Sequence, residues 1–379
     1  AATIEANGAL TVLDKRTGRI YSRLLTFEDR ADIGDGWNHG VALNDQIHVS
    51  TASRASVALI HNGPYLATLR VRTVMDLPEE FDFRQMTRAE RWAPLIVDNL
   101  ITLRAGADHL EVESTVHNAI KDHRLRVLFP TGVQADTYLA DGQFDVIERP
   151  IALRPDNHLY REPEIETRPQ QTWTAVFDQS GGLAIISSGL LESAVRDLPE
   201  RPIALTLFRA TRRTVNTDGE PAGQLQGELH FRYWIAPLTG APDRAALCRL
   251  GQQLEGGLRA AILTSEDQVQ HRVQTGDPHG DPAWAPTDLP PTAGFLSVSG
   301  PAVVTSLRQT DAGLELRLFN PEAQAGRTII ALGDWPGATP THARPVNFEG
   351  KPVGRRLAFT DGQITVKLDA KKIVTLRLE

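Results

Sequence analysis

The sequence predicts a mainly β chain, on three observations. Apolar and polar residues alternate with period two along most of its length, the pattern of strands with one buried face. Asn-Gly, Thr-Gly, Gly-Gly and Asp-Gly pairs punctuate that alternation where turns are needed. One stretch alone, residues 242–262, takes a helical period, with Leu247, Leu250, Leu254, Leu258 and Ile262 three to four residues apart. At 379 residues the chain is long for a single core, so two domains are expected.

In chain order, residues 4–20 read as a hairpin. Asn7-Gly8 supplies the positive-φ geometry of a tight turn and Thr17-Gly18 the next one. Strands follow at 57–60, 65–75, 95–104 and 109–116, then at 173–177, 182–187, 203–208 and 228–235. The amphipathic helix near 242–262 starts with Pro242, which suits a first turn. Gly256-Gly257 weakens its last turn by roughly 1 kcal/mol per glycine relative to alanine. Residues 275–294 are saturated with Pro and Gly and cannot hold a ladder. A linker over 266–293 is therefore expected to divide a domain of residues 1–265 from one of 294–379. In the latter, strands at 295–298, 303–309, 314–319, 327–332, 363–368 and 373–378 predict a small β-sandwich.

Composition narrows the function classes. Hydrophobic content of 41% with 23% charged residues is ordinary for a globular protein. A net charge of -7 argues against a nucleic-acid partner, which needs a basic face. No apolar run approaches the ~20 residues of a membrane helix. The sole cysteine, Cys248, excludes an internal disulfide and fits a reducing, cytoplasmic setting. It lies near the helix's apolar stripe and reads as inert. The chain opens Ala1-Ala2-Thr3-Ile4, with neither Met nor a signal-peptide n-region, and reads as part of a longer protein.

Two strings carry a family resemblance. Residues 114–136 read STVHNAIKDHRLRVLFPTGVQAD, and Asn7-Gly8-Ala9-Leu10-Thr11-Val12 runs through Asp14-Lys15-Arg16-Thr17-Gly18 to Phe27-Glu28-Asp29-Arg30 and Gly34-Asp35. Both resemble the C-terminal β-region of glycoside hydrolase family 38, the retaining α-mannosidases, and the terminal GFLSVSG…LELRLFN resembles bacterial members. The resemblance implies a large mutarotase-like β-supersandwich followed by a small C-terminal β-sandwich. It implies a parent that hydrolyses α-mannosidic bonds with retention. The nucleophile, the acid/base and a zinc ion would then lie in an N-terminal catalytic barrel, the partner of this segment. Within this chain it implies no catalytic residue, no metal ligand and no cofactor. The β-region would support the barrel and lend loops to the site for a mannosidic carbohydrate. A homo-oligomer stays open.

The candidate binding residues each admit two readings. The loop 28–39 gathers carboxylates around an aromatic. It is either a solvated turn with an ion pair inside the loop, or a rim loop with Trp37 as a stacking surface and Asp35 or Asn38 binding hydroxyls. Arg168 is either an edge-strand surface residue or, by the resemblance, a group facing the substrate and able to fork onto an acidic aglycone. Arg209 either caps the apolar run before it or, by the resemblance, points at the sugar; Arg212, Arg213 and Asn216 share its loop. Asp122-His123-Arg124 reads as structural, because Arg124 and Arg126 alternate with Leu125 and Val127 and share one face for ion pairs. His279-Gly280-Asp281 has a metal-ligand spacing but lies in the linker, where nothing rigid would orient it. Two other functions remain as alternatives. One is a sugar mutarotase using His117 with Glu166 or Glu228, and the other a non-catalytic carbohydrate-binding module.

Overall fold

The computed structural model describes residues 1–214, 217–219, 221–260, 292–334 and 339–379. These are mostly strands, with one α-helix and several antiparallel sheets among the described residues. The chain divides into two compact units, Ala1–Glu255 and Gly256–Glu379. No described helix is long and apolar enough to cross a membrane.

In the first unit a nine-stranded sheet runs, in spatial order, through Asp145–Pro150, Thr137–Gly142, Trp173–Asp178, Gly181–Ser187, Gly227–Leu238, Leu110–Asn118, Trp92–Arg104, Leu66–Pro78 and Arg54–Asn62. A six-stranded sheet orders Thr167–Pro169, Glu192–Val195, Ile203–Ala210, His123–Phe129, Thr26–Ala31 and His48–Val49. One core joins them. Val71, Val97, Val112 and Ile185 from the larger sheet pack with Phe27, Val127, Phe129 and Leu205 from the smaller. Phe129 meets Tyr233 edge-on across that interface at 5.9 Å. These are two sheets of a sandwich, held by the apolar area they remove from water. The initial hairpin closes one side, and Gly8 has to be glycine there. Its φ is +88°, and a Cβ would sit 2.9 Å from Ala55 and Thr73.

The helix Arg244–Gly256 lies on the other face of the nine-stranded sheet, where Leu247 and Leu254 pack with Trp173, Ala184 and Ile186. It stops about a turn and a half short of the expected 262. Gly257 adopts φ +60°, the left-handed conformation that ends helices, and Leu258 is fully exposed instead of continuing the stripe. Residues 261–291 lie outside the described residues and include most of the expected linker, Ile262 and His279-Gly280-Asp281.

A second correction concerns residues 28–30. They belong to a largely buried strand, Thr26–Ala31, between His123–Phe129 and the edge strand His48–Val49 of the six-stranded sheet, and not to a surface loop. The second unit is a small sandwich. A three-stranded sheet (Leu296–Ser299, Gly326–Leu332, Gln363–Leu368) and a five-stranded one (Val303–Thr310, Gly313–Phe319, Ile373–Leu378, His342–Val346, Leu357–Ala358) share a core of Leu316, Ile330, Ile364 and Leu376.

Candidate functional site

The strand His123–Phe129 decides where charge can sit. Leu125, Val127 and Phe129 enter the core, so Arg124 and Arg126 fall on the opposite face. Register then places Arg124 between Arg30 and Arg209, and Arg126 between Glu28 and Thr206. Neighbouring buried guanidiniums are unfavourable unless each finds a carboxylate. They do. Arg126 donates to Glu28 at 2.6 Å and to Glu166 at 2.9 Å, and Arg196 donates to Glu28 at 2.9 Å. Arg124 lies 3.8 Å from Glu192 and donates to the Thr167 hydroxyl at 3.3 Å. Burial raises the Glu28 and Glu166 carboxyls, but Arg126 and Arg196 outweigh it and hold both below the usual range. Burial, and then the Arg126 charge beside it, lower Arg124 to about 10.

Where this strand pair ends, Asp32 begins a tight loop to Gly40. The Asp32 side chain is fully buried, and Arg209 Nε donates to it at 2.6 Å. Arg209 Nη2 also donates to the carbonyls of Asp35 and Asn38, both at 2.8 Å. Asp32 accepts the amides of Gly34 and Gly40 as well, each at 3.0 Å. The loop's two sides approach so closely that a Cβ on Gly34 would lie 1.9 Å from the Asn38 carbonyl. Asp35 accepts the amides of Asn38 and Trp37, both at 2.8 Å, and these bonds lower its carboxyl. The result is a fixed loop that presents Trp37 to solvent at 73% exposure. Loop, strand end and residues 189–192 enclose a cleft of about 320 Å³, lined by Asp35, Gly36, Leu190, Glu192, Thr206 and Arg209.

His39 completes the loop. Its Nε2 is buried with no hydrogen-bond partner among the described residues. Burial, and then Arg124, lower its pKa to about 4.

The structure therefore brings Asp35, Trp37, Asn38 and Arg209 to one place. Arg168 is elsewhere. On its edge strand it pairs opposite Ser193, beside the core residue Leu205, and meets Glu164 at 3.4 Å. The alternate residue, Thr167, is the one that reaches the arginine face. The reading of the loop as a solvated turn with an internal ion pair is corrected, because its acids take partners from distant strands. Glu28 meets Arg126 and Arg196, and Asp32 meets Arg209. Asp29 meets Arg88 at 2.7 Å and His123 at 2.5 Å. Sequence reasoning missed Glu192 and Arg196, took Asp32 only as one acid of the 28–39 loop, and named Glu166 only for the mutarotase alternative. The one local signal was a charged Glu28-Asp29-Arg30 directly after the run Leu24-Leu25-Thr26-Phe27.

The remaining candidates are quickly placed. Arg212 donates to Asp218 at 2.6 Å and lies over the Phe83 ring, while Asn216 lies outside the described residues. Of the residues of the mutarotase alternative, His117 and Glu228 form an exposed cross-strand pair at 3.4 Å, while Glu166 is engaged by Arg126. His123 uses both ring nitrogens, toward Asp29 and Asn118, and Cys248 is half-buried in the helix. Among the described residues no group of three or more His, Cys, Asp or Glu side chains is placed to hold a metal ion. Asp29, which does meet a histidine, is already occupied by a guanidinium, and that arrangement does not fit a metal ligand.

Comparison with known proteins agrees with this architecture. The model of the glycosyl hydrolases family 38 C-terminal domain matches residues 1–216. A putative mannosylglycerate hydrolase of Halalkalibacterium halodurans is 26% identical over 347 residues, covering 86% of this chain and 36% of its own length. An α-mannosidase from Enterococcus faecalis V583 superposes with a TM-score of 0.82 at 27% identity, over 100% of this chain and 41% of its own. A second E. faecalis structure, of a family 38 protein, gives 0.80 at 27% identity, over 100% and 43%. The chain thus spans less than half the length of each of these relatives. It belongs to glycoside hydrolase family 38, in the region of that family's C-terminal domain.

Proposed function

We propose that this chain is the β-region of an α-mannosidase-like glycoside hydrolase whose parent cleaves α-mannosidic bonds with retention. Its role is to support a catalytic barrel and to lend the 32–40 loop to the sugar site. Trp37 would offer a flat apolar surface to a pyranose ring, and the Asn38 amide would meet hydroxyls beside it. Asp35 and Arg209 would shape the cleft and hold the loop. Arg168, turned toward Glu164, takes no part. The nucleophile, acid/base and zinc would lie in the barrel.

What supports this reading is coverage. The whole chain superposes on 41% of the E. faecalis α-mannosidase, and the larger share of such a protein remains for the reacting groups. The test is an assay of the isolated chain on an aryl α-mannoside with zinc, beside the same chain co-expressed with its upstream polypeptide. Turnover is expected only in the second case. Zinc-dependent turnover by the chain alone would overturn the proposal.

A further inference from the structure

A second cleft, of about 620 Å³, opens at the far end of the strand Trp92–Arg104, lined by Gln46, Asp82, Gln85, Arg88, Glu90 and Trp92. Trp92 is 54% exposed, and the His48 ring abuts it edge-on at 5.4 Å, which fixes the indole without covering it. The cleft is backed by polar groups with bonds to spare. The Arg88 side chain is only 2% exposed, yet its Nε and Nη1 have no hydrogen-bond partner among the described residues. The same holds for His48 Nε2, Arg30 Nε and Asp45 Oδ2. The ion pairs among them are long, with Arg30 to Asp45 at 3.6 Å and Arg88 to Asp45 at 3.9 Å. Of these residues Arg88 lines the cleft, and buried polar atoms of this kind are satisfied by water or by a ligand.

The lining selects that partner. Arg88 and Arg30 are matched by Asp29 and Asp45, so the pocket does not favour a strong anion. Asp82 and Glu90 at the rim disfavour one further. Gln46, Gln85 and Thr87, with charges that balance, around one flat aromatic suit a polyol with an apolar face. We propose that this cleft binds a hexopyranose, its C–H face on the Trp92 indole and its hydroxyls exchanging hydrogen bonds with Gln85 and Glu90. The stacking argument stands on this cleft alone. The choice of a mannoside as first probe rests on the proposed function.

The test titrates methyl α-mannoside, methyl α-glucoside and methyl α-galactoside against the intact chain, reading Trp fluorescence and saturation-transfer NMR of the sugar. Wild type, W92A and W37A are compared, with circular dichroism confirming that each is folded. Both tryptophans are exposed, and neither change disturbs the core. The expected result is saturable binding of at least one hexopyranoside, weakened tenfold or more by W92A and more by W92A than by W37A; E90Q should weaken it less than W92A. Binding lost in W37A but kept in W92A would overturn this proposal and leave the function of the 32–40 loop standing. Absence of binding by all three sugars would overturn it as well. Binding of the glucoside or galactoside without the mannoside would keep the cleft and remove mannose as its ligand.

Discussion

Arg209 and Arg88 are both largely buried guanidiniums, and each is held by a buried aspartate of the 26–32 segment. Arg209 pairs with Asp32 at 2.6 Å and Arg88 with Asp29 at 2.7 Å. They differ in what remains. Arg209 gives its Nε and Nη2 to three acceptors on one loop, and its function is construction. Arg88 gives Nη2 to Asp29 and keeps Nε and Nη1 unmatched beside an open cleft. Burial and charge are alike in the two. The count of hydrogen bonds already made is what separates them.

That contrast can be broken by substitution. Replacing Arg88 with leucine leaves the Asp29 carboxylate in the core with His123 as its remaining partner, and should cost about 3–5 kcal/mol in urea denaturation. R209L should cost less, about 1–3 kcal/mol, because Asp32 keeps the Gly34 and Gly40 amides. Equal losses would mean that the two arginines are equivalent.

Acid should expose the same network. Glu28, Asp29 and Glu166 have folded pKa values below their ordinary ones. The stability they contribute is present above the ordinary carboxylate range and is lost as pH falls below about 4. His39 acts in a different window. Its pKa is about 4 against an ordinary 6.5, so the unfolded chain binds the proton more readily and stability declines as pH falls from 6.5 toward 4. H39Q should remove the slope in that window and leave the steeper loss below it. Smallest of all, W37A and W92A should change stability by no more than about 0.5 kcal/mol, since both rings are exposed.

How much of this was legible depends on where the determining contacts lie. Strand Leu66–Pro78 was readable because Val71, Met75 and Leu77 enter the core at alternate positions, with Arg70 and Arg72 outside. The shared face of Arg124 and Arg126 was readable for the same reason, as was the helix up to the glycine that ends it. Strand Thr26–Ala31 was not. Five of its six residues are buried, including Glu28 and Asp29, so its period-two signal is hidden by charges. Their partners lie 98 residues away at Arg126 and 94 at His123, which no local pattern encodes. Arg168 lies on a three-residue edge strand, too short to show its own phase, so the sequence left both of its readings open. For Arg209 the sequence left two readings open, because a guanidinium that holds a loop and one that holds a ligand look the same in sequence.

The central claim is that Arg209 clamps the 32–40 loop. Amide hydrogen exchange at Gly34, Trp37, Asn38 and Gly40, compared between wild type and R209L, tests it most directly. The account predicts that protection at these four amides falls sharply while the strands Leu110–Asn118 and Gly227–Leu238 exchange as before. Unchanged protection in the loop of a folded R209L would contradict it.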